Sequence, residues 1–256
     1  VSKDFNPNRF TDSAGIPWEG RSFEQNSFAD DDGKAPAELV TVMAAFRNGE
    51  VGIEQVVDQI RSARLLVPLI AQLGESEIGA HGKKVDKSAE LSIVTVKSPD
   101  DQDSLVAFSS VEAMSRWNPS ARPVPTDAIR LCLEAASQMS TRIVVDPGSE
   151  TEFVLRRPAI ARVAQSLTWV PPERNQAVLA VIEESIAGEE FATGFEAQTA
   201  DPKSLLKGAE LEILITLKAG LEPLVVRDLI ERISSFWSKS EDFATSVDSV
   251  AIKLRS

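Results

Sequence analysis

The sequence predicts an α+β protein, with an N-terminal mixed αβ domain followed by a C-terminal ferredoxin-like αββαβ domain. Three features point there. Helix-period and strand-period apolar patterns are interspersed before residue 171, and Pro171-Pro172 interrupts them. Beyond that break the pattern runs helix, strand, strand, helix, strand. The expected organisation is an extended arm over 1–35, a first domain over 36–168 and a second over 169–256.

The arm is polar and aperiodic, carries Gly15, Pro17, Gly20 and Gly33, and includes the acidic run Asp30–Asp32. That run lacks the spacing of a calcium loop and reads as a solvated stretch. Ile16, Trp18, Phe23 and Phe28 are spaced along the arm, and a disordered tail rarely carries so many large apolar groups. They are expected to dock in grooves, either on this body or on a neighbouring subunit.

Leu39, Val42, Met43 and Phe46 repeat at i, i+3, i+4, i+7 and predict a helix that Gly49 ends; Ile53, Val56, Val57 and Ile60 predict a second. Arg64–Ala71, Glu90–Lys97 and Ser104–Phe108 read as strands, the second a buried one. The last two are expected to form a hairpin through the turn residues 99–103. Ser109 and Glu112 have the spacing of a capping box opening a short helix that ends near Trp117. A helix is expected over 126–139, with Ile129, Cys132, Leu133 and Ala136 on one face. Short strands Arg142–Val145 and Glu152–Leu155 follow, joined through Asp146 to Ser149, and Pro158 opens a helix to about Ser166.

In the second domain Val178, Val181 and Ile182 mark a helix. Phe191 to Ala197 and Leu211 to Leu217 alternate as strands. Pro223 opens a helix carrying Leu229, Ile233 and Trp237, and Val250, Ile252 and Leu254 form a last strand. A strand over Leu167–Val170 would complete a βαββαβ order.

Charge narrows the function. With 27 basic against 39 acidic residues the net charge is −12, which opposes binding to nucleic acid or to an anionic membrane surface. The single cysteine, Cys132, permits no intramolecular disulfide and suits a reducing compartment. No signal peptide is visible, and no apolar run is long enough to span a bilayer, so a cytoplasmic location is expected.

The common phosphate-loop, dinucleotide, zinc and serine-hydrolase motifs are absent, and with His81 as the lone histidine a multi-histidine metal site is excluded. No cofactor is expected. Candidate ligand or partner residues are His81, Asp86 and Lys87 in the polar stretch 81–90, then Trp117, Arg122 and Asp146. The first group offers an imidazole, a carboxylate and an ammonium, or is a solvated connection. Arg122 beside Pro123 and behind Trp117 could hold an anion or a partner carboxylate, or mark a plain connector. Asp146 could end a strand at a site, or simply turn a hairpin. Cys132, at an apolar helical position, reads as a buried inert thiol.

The run Arg64–Leu69, the strand Glu90–Val96 and the stretch Val106–Trp117 with Ala121–Pro125 together resemble the SseB N-terminal domain family. Val144–Pro147 and Glu152–Leu155 extend the similarity, which covers about 50–165, and the last domain looks like the SseB C-terminal domain. The resemblance implies an "enhanced serine sensitivity" protein with no assigned reaction and no catalytic residues to carry over. The same name is used for a type III secretion component, whose expected long or membrane-inserting helices are not seen here. Two readings of function follow. One is a binding or regulatory protein acting through a protein partner or self-association. The other is a small-molecule site, for an amino acid or other anionic metabolite, near Arg122.

Overall fold

The computed structural model describes residues 28–71, 91–97, 102–137 and 142–256. The first helix, α1 (Ala37–Arg47), and the second, α2 (Ile53–Arg61), form where the apolar spacing predicts them and bury Leu39, Met43, Val56, Val57 and Ile60. They lead into β1 (Arg64–Ala71), which pairs antiparallel with β2 (Leu91–Ile93) on one side. On its other side β1 pairs antiparallel with β5 (Arg122–Asp127). A second sheet runs β3-β4-β6-β7, made of β3 (Thr95–Lys97), β4 (Asp103–Ala107), β6 (Arg142–Val145) and β7 (Phe153–Arg156). Reciprocal 2.8 Å hydrogen bonds between the backbones of Leu66 and Phe108 tie the two sheets together.

The pleat decides what each strand buries. Leu65 and Val67 of β1, with Leu105 and Ala107 of β4, join one core; Leu66, Val106 and Phe108 point to the opposite face. On the first face lie α1, α2, α4 (Ala128–Ser137) and α5 (Arg157–Ala164). On the second, α3 (Val111–Trp117) contributes Met114, and Trp117 packs against Phe108 with ring centroids 5.3 Å apart.

After a 3-10 turn, Pro172–Arg174, the chain forms α6 (Gln176–Ala187), β8 (Ala192–Gln198), β9 (Leu211–Leu217), α7 (Pro223–Lys239), α8 (Glu241–Ser246) and β10 (Val250–Arg255). The sheet order is β10-β9-β8, with β8 antiparallel and β10 parallel to β9. Leu211, Ile213 and Ile215 meet Ile182, Leu229, Ile233 and Trp237 in a core separate from the first. The Trp237 indole donates to Ser185 Oγ (2.8 Å), so the one polar atom of that ring is satisfied inside this core. Residues 32–256 make one compact unit. Of the unit Val1–Asp31, the described part is a turn in which the Asp31 N–H donates to the Phe28 carbonyl (3.2 Å).

Several expectations change. The N-cap of α3 is Ser110, which accepts from the Ala113 N–H (3.1 Å); Ser109 is bonded elsewhere, and Glu112 pairs with Arg116 on the exposed side of the helix. The predicted strand 90–97 breaks at Val94 into β2 and β3, which serve different sheets, and β3 is an exposed to half-buried edge. β3 and β4 do form the expected hairpin. Residues 122–127, read as connector and helix start, form β5 instead. Pro123 and Pro125 pair opposite Pro68 and Leu66 on a strand that, among the described residues, pairs on one side only, where a missing N–H is tolerated. The buried side of α4 is Ala128, Leu131, Cys132 and Ala135, while Leu133 is 54% exposed. Leu167–Val170 form no strand, so the C-terminal part keeps the αββαβ order, with α8 added before its last strand. The apolar residues of α8, Phe243 above all, lie too few to a turn to show a period.

Candidate functional site

The long apolar strands of the two cores end on a band of charge. Arg142 and Arg156 are register partners across β6 and β7, two guanidiniums side by side at about 5% and 6% exposure. Burying them requires carboxylates, and the C-terminal part supplies these. Asp248 Oδ2 lies 3.3 Å from each arginine, and Arg156 also donates to Asp201 Oδ2 (2.7 Å), the Gly208 carbonyl (2.7 Å) and Ser249 Oγ (3.1 Å). Asp201 organises its own loop as well, accepting from the N–H groups of Leu205 (3.1 Å) and Leu206 (2.8 Å). That loop holds Ser204 and Leu206 at positive φ (50° and 57°), a conformation costly for non-glycine residues. Ser204 exchanges backbone and side-chain hydrogen bonds with Val154 of β7, which fixes the loop in place.

Beside this band opens a cleft of about 680 Å³. One wall is the corner between α1 and α2, with Phe46, Val51, Ile53 and Glu54. The second is the segment Trp169–Arg174, and the third is the end of β8 with Asp201 and Glu210. Arg174 and Glu54 close a bidentate ion pair across two walls, with Nη1 to Oε1 at 2.9 Å. Beneath the floor is a small cavity of about 20 Å³, touched by Trp169, Asp201, Ser204 and Glu210, with room for about one water.

Glu210 is the unusual group. It is 6% exposed; its Oε2 accepts from the Asp248 N–H (2.6 Å), and its Oε1 has no hydrogen-bond partner. Burial pushes its carboxyl up to about 7, and the nearby charges of Asp248 and Glu173 act in the same direction. Glu173, half-buried on the same cleft, is also raised by burial. The indole Nε1 of Trp169, 6% exposed, is a second buried polar atom without a partner. Native structures satisfy nearly all such atoms, and both belong to residues that line this cleft and the small cavity beneath it, where a water or a ligand group could reach them.

The residues singled out from sequence lie elsewhere. His81, Asp86 and Lys87, with Ile16, Trp18 and Phe23, fall outside the described residues; Phe28 is half-buried in its turn. Trp117 is part of the second-face core. Arg122 is exposed at the first position of β5, opposite Leu69. Asp146 is fully buried and committed: it accepts from the Ser109 N–H and Oγ (both 2.7 Å) and from Thr151 Oγ1 (2.8 Å). Its φ of 50° and the φ of 75° at Gly148 make the tight link between β6 and β7. Neither Arg122 nor Asp146 lines the cleft.

Glu210, Glu173, Trp169 and Arg156 were missed by sequence reasoning. Isolated charged residues carry no motif, and the partners of Glu210 and Arg156 come from segments 38 to 93 residues away. The available signal was local: a tryptophan two residues before Pro171-Pro172, and a glutamate directly before the cleanest apolar strand.

Among the described residues no group of three or more His, Cys, Asp or Glu could hold a metal ion. Among them, too, no helix is long and apolar enough to cross a membrane. No curated protein and no solved structure matches the chain. Residues 39–162, within the stretch from α1 to α5, match the family model of the SseB protein N-terminal domain, so this part of the chain is similar to that domain family.

Proposed function

We propose that this is a binding protein that works by reversible recognition at the cleft between the α1–α2 corner, the Trp169–Arg174 segment and Glu210. The observation that carries the reading is the pair of buried, unpartnered polar atoms, Glu210 Oε1 and Trp169 Nε1, on one cleft of about 680 Å³. That volume is in the usual range for ligand sites, and the walls combine apolar surface with a few polar groups, as such sites do. The same cleft would accept a free small molecule or a side chain reaching in from a protein partner. In this reading the C-terminal part, which completes two of the three walls, is an SseB C-terminal-like module, and its attachment through Arg156 holds the cleft in shape.

Recognition is favoured over catalysis by the chemistry on the walls. The lining offers carboxylates, an indole, a guanidinium, the amides of Gln55 and Gln198 and the hydroxyl of Thr199, with no histidine, cysteine or serine. Cys132 is buried in the first core, its thiol pushed up to about 12 by burial, far from the reactive range.

A variant that fills the cleft tests the reading. Gly52 lines it, and an added side chain there would press on the Glu54 carboxylate and its ion pair with Arg174 as well as fill space. In a thermal-shift screen of metabolites and peptides, compounds that raise the Tm of the native protein are expected to leave Gly52→Leu unshifted, because binding stabilises by mass action. Equal shifts in both proteins would place binding elsewhere.

A further inference from the structure

We propose that the ligand of this cleft is an organic cation, an ammonium or guanidinium head on an aliphatic stem, held by Glu210 and Glu173 against Trp169. The inference rests on the cleft being a binding site and adds the class of what binds.

The charge on the walls decides it. The lining carries Glu50, Glu54, Glu173, Asp201 and Glu210 against a single basic residue, Arg174. Two of the five are already neutralised, Glu54 by Arg174 and Asp201 by Arg156. Among the described residues Glu173 and Glu210 have no ion pair, and each is disfavoured in its charged form by burial. Glu210 also feels the charge of Glu173, the weakest of the influences on its carboxyl, and both residues line the cleft. An added positive charge would relieve both penalties at once.

An anion would meet the opposite field. The one guanidinium on the lining is held by Glu54, and an incoming carboxylate would face Glu173 and Glu210 with no free counter-charge. A bare metal ion lacks its ligands: among the described residues no group of three or more suitable side chains comes together. The rest of the lining suits a cation with a hydrocarbon stem. Phe46, Val51, Ile53 and Pro172 give apolar walls, and Trp169 offers a ring for cation–π contact. The Trp169 indole N–H remains a donor, able to meet an acceptor next to the cationic head, such as a peptide or amino-acid carbonyl.

Cation binding favours ionised Glu210. The charged groups that act on this carboxyl are Asp248, Arg156 and Glu173, and all are already in place before the ligand arrives. Binding is therefore expected to tighten as pH rises through about 7 and to release protons below it.

The test is calorimetric titration of the full chain at pH 7.5 and low salt with lysine, arginine, butylamine and a terminally capped Gly-Lys-Gly peptide, with glutamate as the anionic control. The expected result is binding of the cations and none of glutamate. Glu210→Gln should weaken binding by about ten-fold or more, as expected for loss of a charge-assisted contact. Glu173→Gln, a half-buried position where folding is not at risk, should weaken it in the same direction, and Glu231→Gln on the exposed side of α7 should not. Butylamine and the free amino acids binding better than the capped peptide would assign the cation to a free amine; the reverse would assign it to a side chain of a protein. Glutamate binding as well as lysine, or cation binding unchanged in both glutamine variants, overturns the ligand class and leaves the cleft as a site. Failure of every probe of either charge to bind the native protein overturns the ligand class together with the cleft as a site for such molecules.

Discussion

Removing the Ser110 hydroxyl takes away the acceptor used by the Ala113 N–H at the start of α3, a solvent-near loss worth about 1 kcal/mol. Removing the Ser109 hydroxyl is a different matter, because it deprives fully buried Asp146 of one of its partners. Ser109→Ala is expected to lower the urea midpoint more than Ser110→Ala, and the reverse order would restore Ser109 as the cap. The two serines are neighbours in sequence with the same chemistry; what separates them is a carboxylate 37 residues away. For that reason the start of α3 was legible to within one residue and the role of Ser109 was not. Cys132 was legible, because a cysteine in an apolar helical stripe has few alternatives to burial. It is expected to resist thiol reagents in the native protein and to react once urea unfolds it; prompt reaction in buffer would contradict its placement in the core.

At the scale of elements, strands and helices with unbroken periods formed where their patterns placed them. β9 alternates from Leu211 to Leu217, and α7 starts at the proline that marks it. Elements set by tertiary pairing were harder to see. β5 contains Pro123 and Pro125, which argue against a strand unless one edge is free, and freedom of an edge is a property of the whole sheet. The face of α4 also depends on its neighbours, since several apolar residues compete for the inward position. Leu131→Ala is expected to cost about 2–5 kcal/mol, as for a fully buried leucine, whereas Leu133→Ala should stay within about 0.5 kcal/mol. Chemical denaturation of both variants checks the direction of the helix, and equal costs would contradict it.

At the scale of the molecule, Arg156 joins the first core to the second through Asp201, Asp248 and Ser249. Arg156→Leu leaves buried Asp201 without its cation and Asp248 with Arg142 alone, and is expected to cost about 3–5 kcal/mol in urea unfolding. Stability should also depend on pH through Glu210. Its carboxyl is raised in the folded chain from 4.5 to about 7, so between those values the native state holds a proton that the unfolded chain has released. The favourable contribution is full below about 4.5 and is lost as pH rises through about 7, a change on the order of 3 kcal/mol. Glu210→Gln should remove most of that slope. None of this was visible in the sequence, because the cleft is assembled from three segments and its key carboxyl carries no motif. The charge balance was visible, and the net −12 agrees in sign with a site that prefers cations.

The most direct measurement is the titration of Glu210 itself, followed by NMR of carboxyl-labelled glutamates in the native protein and assigned by its loss in Glu210→Gln. A midpoint near 7, moving down when a bound amine is added, is the predicted result. A midpoint near the ordinary 4.5, unmoved by amines, would mean that the floor of the cleft is neither dry nor waiting for a positive charge.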